Sequence, residues 1–272
     1  MTITDLEFIQ SFIRMANDGF ALGWHERNGG NLSYRMTSED VVVAKPFFKD
    51  HHPSVPIGIA IPNLAGEYFL VTGSGKFFRN ISIAPEDNIC IIEIDGKGEN
   101  YRIVWGLKNG GTPTSELPSH LLNHGVKKES SHGGLRVIYH AHPTNIIAMT
   151  FLLPLDDRTF SRKLRTMATE CPVVFPDGVG IVPWMVPGGR EIGIATAELM
   201  EKYNVAIWAH HGMFCAGIDF DTTFGLMHTV EKSAEIYFKV ISAGKVRQTI
   251  TDQNLRDLAK AFHVNLREEF LD

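Results

Sequence analysis

Residues 89–107 contain Ile89-Cys90-Ile91-Ile92-Glu93-Ile94, then Asp95-Gly96-Lys97-Gly98, then Tyr101-Arg102-Ile103-Val104-Trp105-Gly106-Leu107. β-branched and aromatic residues fill both arms, and the Asp-Gly turn between them is a hairpin signal. Hairpins join antiparallel strands, whereas parallel strands need long crossovers. Upstream, Tyr68-Phe69-Leu70-Val71 is a short buried strand ending in the glycine loop Thr72-Gly73-Ser74-Gly75, and Leu32-Ser33-Tyr34-Arg35 is a strand after the turn Asn28-Gly29-Gly30-Asn31. Downstream, Leu135 to His142 is β-rich and runs into Pro143, and Val205 to Ala209 is an apolar strand ending at His210-His211-Gly212.

Helical periodicity occupies roughly 114–124, 158–169, 190–203 and 219–242. Thr4-Asp5-Leu6-Glu7 has the form of a capping box. It opens a helix with Leu6, Ile9, Phe12, Ile13, Ala16 and Phe20 on one face, and Gly23 ends it. Residues 45–66 carry Pro46, Pro53, Pro56 and Pro62 and read as an excursion with little regular structure. Without a regular βαβ alternation, the pattern predicts a largely antiparallel or mixed sheet covered by helices, not a doubly wound parallel sheet. No repeat, low-complexity tract or linker interrupts it, so a single domain over residues 1–272 is expected.

Hydrophobic residues make up 44% of the 272 and charged residues 21%, enough apolar material for a sizeable core. A net charge of -5 argues against nucleic acid or anionic membrane as partner, but a small anionic substrate remains compatible, because amides or a metal can hold it locally. The start, Met1-Thr2-Ile3-Thr4-Asp5-Leu6-Glu7, lacks a basic and then apolar leader, and no apolar run approaches membrane-spanning length. Cys90, Cys171 and Cys215 are widely spaced and form no CxxC, which predicts free thiols and a reducing cytoplasm.

If 135–142 is a strand, His140 and His142 share a face and Ala141 points away, which makes half of a metal site. Zinc needs a third ligand, and the loop after the 205–209 strand offers His210 or His211. Sheet neighbours could bring these ends together. His51, His52 and His132 read as loop residues; His25, His120, His124 and His228 read as solvated or locally hydrogen-bonded. Thr72-Gly73-Ser74-Gly75-Lys76 is not the GxxxxGK[ST] loop of nucleoside triphosphatases, because Phe77 follows the lysine and no glycine sits at the required earlier position. Its backbone amides can still approach an oxyanion, as can the helix start after Thr112-Pro113-Thr114-Ser115-Glu116. Glu116 either offsets the helix dipole or, beside a metal in a partly dry site, serves as a general base.

Together these motifs resemble the class II aldolase/adducin family over nearly the whole chain. The strongest segments are Glu26-Arg27-Asn28-Gly29-Gly30-Asn31-Leu32, Val71-Thr72-Gly73-Ser74-Gly75-Lys76-Phe77-Phe78-Arg79-Asn80, Pro113-Thr114-Ser115-Glu116-Leu117-Pro118 and Val174-Phe175-Pro176-Asp177-Gly178-Val179-Gly180. The runs over 75–80 and 175–180 are similar to the branch that acts on rhamnulose 1-phosphate. The resemblance implies an α/β fold, a three-layer α/β/α sandwich around a mainly antiparallel sheet, and a homotetramer. It implies one Zn2+ per subunit on His140, His142 and His211, with Glu116 as acid/base. Asn28, Gly30, Asn31, Ser74, Gly75, Thr114 and Ser115 would hold the phosphate and neighbouring oxygens of dihydroxyacetone phosphate. Glu170 would reach into a neighbouring subunit's site.

The implied reaction, a step of rhamnose catabolism, is reversible cleavage of L-rhamnulose 1-phosphate to dihydroxyacetone phosphate and L-lactaldehyde through a metal-stabilised enediolate. No isolated lysine suggests a Schiff-base route. Fuculose-phosphate aldolase, pentose-phosphate 4-epimerase and sugar-phosphate dehydratase share the metal and phosphate motifs, and only the narrower segments separate them. A non-catalytic adducin-like interaction module would lack the histidines and the glutamate, all of which are present.

Overall fold

The computed structural model describes residues 2–49 and 53–272. His51 and His52 lie outside the described residues. The strands are β1 (Asn31–Arg35), β2 (Val55–Pro56), β3 (Tyr68–Thr72), β4 (Ile89–Ile94), β5 (Asn100–Gly106), β6 (Val137–Ala141), β7 (Gly180–Val182), β8 (Val205–Trp208) and β9 (Gly212–Gly217). The helices are α1 (Glu7–Ala21), α2 (Ser38–Ala44), α3 (Pro85–Asn88), α4 (Leu117–Ser130), α5 (Thr144–Met149), α6 (Asp157–Arg165), α7 (Cys171–Val174), α8 (Arg190–Met200), α9 (Phe220–Ser242) and α10 (Asp252–Ala261).

The strands join in one sheet of order β2-β5-β4-β3-β1-β6-β9-β8-β7. Among the described residues only the β7–β8 pairing is parallel. The 89–107 hairpin forms as β4 and β5, with a register irregularity between Ile91 and Ile92.

Both sheet faces are apolar, and strand alternation sends successive residues to opposite layers. Val137, Tyr139, Ala141, Val205, Ile207, Met213 and Cys215 pack with Phe8, Ile9 and Phe12 of α1 and Met227, Val230 and Ala234 of α9. On the other face, Ile138, Ala206, Trp208, Phe214 and Ala216 pack with Ile192 and Met200 of α8. Further along that face, Phe69, Val71, Cys90 and Ile92 meet Leu117 and Leu121 of α4. The result is the expected α/β/α sandwich. No described helix is long and apolar enough to cross a membrane.

The first helix starts later than its capping signal. Ile3 and Leu6 are both buried, and Ile3–Asp5 forms its own 3-10 turn. Thr2 N donates to Asp5 Oδ2 at 2.6 Å, so the reciprocal cap involves Thr2 and Asp5, not Thr4 and Glu7. The other end is as predicted: Gly23 takes φ +77°, its N–H meets Phe20 O at 3.0 Å and Trp24 N–H meets Gly19 O at 3.1 Å, the six-to-one and five-to-two bonds of a glycine helix stop.

Three strands escaped the sequence reading, as did the helices α2, α3, α5, α7 and α10. β2 is an edge strand inside the 45–66 excursion, β7 is only three residues long, and β9, Gly-Met-Phe-Cys-Ala-Gly, lacks β-branched residues.

Helix α5, which begins two residues after His142, is tied down by the buried Glu231 of α9. Its carboxylate accepts from Asn145 N at 2.9 Å, Asn145 Nδ2 at 2.8 Å and Ile146 N at 2.9 Å, the role a capping side chain normally plays from within its own helix. Glu231→Ala is expected to keep the fold but lower the free energy of urea unfolding by roughly 1–2 kcal/mol; an unchanged denaturation midpoint would contradict this clamp.

Candidate active site

Strand β1 runs antiparallel to both β3 and β6. Its first residue therefore lies beside the ends of the other two, and Asn31 pairs with His140. Four segments converge at this end of the sheet: the 26–30 turn, the loop after β3, the segment leading into α4 and the end of β6. The loop after β3 is stitched to the approach to α4. Ser74 N donates to Thr112 O and Thr114 N donates to Thr72 O, both at 2.8 Å. Thr114 Oγ1 then accepts from Glu116 N at 3.3 Å, turning the chain into α4.

His140 and His142 do point to one side. The third histidine comes from the tight β8–β9 turn, which leads directly into β9, the neighbour of β6. In that turn His210 takes φ +62°. Its Nδ1 lies 3.0 Å from Thr150 Oγ1 and its ring packs on Phe151. The chain reversal turns His211 the other way, with its Nε2 3.1 Å from His142 Nε2 and 3.4 Å from His140 Nε2. One ligand atom from each of His140, His142 and His211 lies within 4.8 Å of the others. Gly212 permits this closeness, because a Cβ there would stand 2.4 Å from Ala141 O and 2.9 Å from His142 Cδ2.

The remote ring nitrogens decide where the lone pairs face. His140 Nδ1 donates to Met213 O at 3.1 Å, and His142 Nδ1 donates to Glu26 Oε1 at 2.6 Å. With Nδ1 engaged in this way, each ring turns its Nε2 toward the centre, the arrangement found behind metal-bound histidines. Burial holds His140 well below the usual imidazole pKa and pushes His211 down to about 4, with the neighbouring His142 adding to both effects. Three imidazole nitrogens converging this closely fit the donor set of a divalent ion.

Glu116 stands at the N-cap of α4. Its Oε2 lies 3.8 Å from His140 Nε2 and accepts from Asn31 Nδ2 at 2.8 Å. Burial raises its pKa, against the pull of the Asn31 bond and of His142. Asn31 and Thr114 are buried, whereas Asn28, Ser74, Gly75 and Ser115 are exposed at the mouth. Gly30 takes φ +76°, and a Cβ on it would meet His25 Nδ1 at 2.5 Å and His140 O at 2.7 Å. Glu170 is exposed at the N-cap of α7 and lies outside the histidine cluster.

Sequence reasoning misplaced three histidines. His25, His120 and His124 are buried, and apart from Gly29, a local partner of His25, their partners are remote in sequence. His25 Nε2 meets Tyr139 Oη at 2.6 Å, and its Nδ1 donates to Gly29 O at 3.0 Å, anchoring the 26–30 turn. His120 and His124 both reach Ser33 of β1. Glu26 was also missed as a partner of His142. The i,i+4 spacing of His120 and His124 was the available signal, since it puts both on one helix face.

Residues 10–238 match the family described as Class II Aldolase and Adducin N-terminal domain. The chain belongs to the class II aldolase and adducin family. It is 51% identical over 257 residues to a rhamnulose-1-phosphate aldolase from Mannheimia succiniciproducens, covering 94% of each chain. It is 46% identical to one from Klebsiella pneumoniae subsp. pneumoniae, covering 100% of this chain and 98% of the other. Among solved structures, a sugar-phosphate aldolase from Thermotoga maritima matches with TM-score 0.76 and 27% identity over 88% of this chain and 97% of that one. An L-fuculose 1-phosphate aldolase shares the fold with TM-score 0.60 at 20% identity, covering 93% and 95%. This class II aldolase chain therefore meets the family expectation drawn from its motifs.

The buried imidazoles also set an acid limit on stability. His25 and His120 are held at about 3 by burial, far below the usual value of about 6.5. The unfolded chain takes up these protons below about 6.5 and the folded chain does not, so their stabilisation is full above that value and declines as pH falls. Glu116 and Glu231, raised by burial, act in the opposite sense. Metal-free protein is expected to have a lower urea midpoint at pH 5.5 than at pH 7.5; equal midpoints would count against neutral buried rings.

Proposed function

We propose that this chain is a cytoplasmic zinc-dependent aldolase, a carbon–carbon lyase, working as one class II aldolase-like domain. It reversibly cleaves L-rhamnulose 1-phosphate to dihydroxyacetone phosphate and L-lactaldehyde. The observation that carries the reading is Glu116 Oε2 facing a cluster of three histidine nitrogens, 3.8 Å from the nearest. Near-full-length identity to rhamnulose-1-phosphate aldolases supports the choice of substrate.

His140, His142 and His211 would hold the ion. When bound, the ion supplies a Lewis acid that polarises the ketone and the neighbouring hydroxyl oxygen. Glu116 handles the proton. In the synthetic direction its carboxylate takes a proton from the hydroxymethyl carbon of dihydroxyacetone phosphate, and that electron pair forms the new bond to the aldehyde carbon. The aldehyde oxygen then acquires a proton. In cleavage the hydroxyl proton leaves, the carbon–carbon bond breaks, and Glu116 returns a proton to carbon. A carboxyl raised by burial suits both directions, because a base works best when its pKa approaches the working pH.

Asn28, Gly30, Asn31, Ser74, Gly75, Thr114 and Ser115 would hold the phosphate and nearby oxygens, so that binding energy far from the reacting carbon fixes its orientation. The exposed Glu170 would serve the site of a neighbouring subunit in a homotetramer and assist protonation of the aldehyde oxygen.

Purified protein incubated with L-rhamnulose 1-phosphate should release dihydroxyacetone phosphate, and a chelator should stop it. Release from L-fuculose 1-phosphate at an equal or greater rate would overturn the substrate assignment. His142→Ala is expected to lose metal and activity together, as read by metal analysis of the purified variant. Glu116→Gln should retain stoichiometric metal but slow hydrogen exchange on dihydroxyacetone phosphate by about 10²–10⁴-fold.

A further inference from the structure

Behind Glu116 lies a buried polar row that the site as described does not use. Strand alternation in β1 puts Asn31 and Ser33 on the face toward α4, and the helical period puts His120 and His124 on the α4 face toward β1. Ser33, His120 and His124 have no exposed surface and Asn31 has 6%. Ser33 Oγ lies 2.6 Å from His120 Nδ1 and 2.8 Å from His124 Nε2. His120 Nε2 meets Asn31 Oδ1, and Asn31 Nδ2 reaches Glu116 Oε2 at 2.8 Å.

The serine has one proton to give, so the row can run in only two directions. In the first, His124 Nε2–H donates to Ser33 Oγ and Ser33 donates to His120 Nδ1. His120 Nε2–H then donates to Asn31 Oδ1, and Asn31 donates to Glu116. The one atom left over is His124 Nδ1, which has no partner and in this arrangement carries only a lone pair. In the second, every bond reverses. His124 Nδ1 would then be a buried N–H without an acceptor, and the Asn31 oxygen would turn onto the Glu116 carboxylate. Orphaned buried N–H groups are rarer and costlier than unused lone pairs. Both ends of the row therefore select the first direction. The neutral rings it requires agree with the depressed pKa values of both histidines, for which burial is the leading cause.

We propose that His124, Ser33 and His120 form a one-way hydrogen-bond chain that locks the Asn31 amide, and through it holds the Glu116 carboxylate in place for proton transfer. They are positioning residues, and the proposal rests on the reading of Glu116 as the base. Outer partners of this kind commonly contribute 10–100-fold to activity without touching substrate.

Nitrogen-15 NMR of the zinc-loaded full-length protein tests the chain directly: both His120 and His124 should be neutral with the proton on Nε2. A proton on Nδ1 of either ring overturns the proposal. Kinetics of exchange on dihydroxyacetone phosphate give a second readout. His120→Leu should lower kcat by about tenfold with KM nearly unchanged, whereas His120→Gln, whose amide nitrogen can replace Nε2–H, should recover most of the rate. Equal rates in the two variants, or a KM effect alone, would mean that His120 merely fills space. Should His120→Leu fail to fold, Ser33→Ala removes one hydroxyl and should yield mixed His120 tautomers with a reduced kcat; an unchanged tautomer and rate overturn the chain. Glu116→Gln separates the two claims. Wild-type exchange there defeats the base assignment itself, while slow exchange there with wild-type exchange in His120→Leu defeats only the positioning chain.

Discussion

The register of β1 against β6, which sets Asn31 opposite His140, is the constraint on which the rest of the site depends. β1 is antiparallel to β3 on one side and β6 on the other, so one strand start collects two strand ends. A one-residue slip would send Asn31 and Ser33 to the opposite face and leave α4 without its polar partners. The slip is opposed by β1 being buried on both faces, with Leu32 in the α1–α9 layer and Ser33 against the histidines of α4.

Close approach is the second constraint. Bringing three imidazoles together requires backbone that makes room, which explains glycine at 29, 30 and 212. A Cβ at Gly29 would lie 2.9 Å from both Glu26 Oε1 and His142 Cε1. The aromatic rings that face His140 complete the fit: Phe214 stacks on it at 4.2 Å between centroids, and Trp208 lies against both His140 and His211. Burial depresses the pKa values of His140 and His211 and raises that of Glu116.

Much of the architecture was legible in the chain. The 89–107 hairpin announced an antiparallel sheet because alternation and turn chemistry are local properties. The major helices were legible because their apolar periodicity is strong, and Gly23 was a readable stop. Strand β9 was not, since its glycines and small side chains form a strand only because β6 and β8 flank it. The α4 face was misread for a related reason. Ser119, His120, Asn123, His124 and Lys127 are all buried, but a polar face reads as solvated until its partners are known.

By itself, the sequence determined which side chains were available and which could share a face: His140 with His142 along a strand, and His120 with His124 along a helix. These are periodicities of one strand or one helix, and they need no knowledge of neighbours. Only the tertiary structure decided between His210 and His211. Two adjacent histidines in a tight turn are equivalent as letters. The left-handed conformation at His210 sends its ring to Thr150 and Phe151 and leaves His211 facing the strand end. Tertiary structure likewise decided that His25, His120 and His124 belong to the interior, because hydrogen bonds spanning many tens of residues exist only once the sheet register is set.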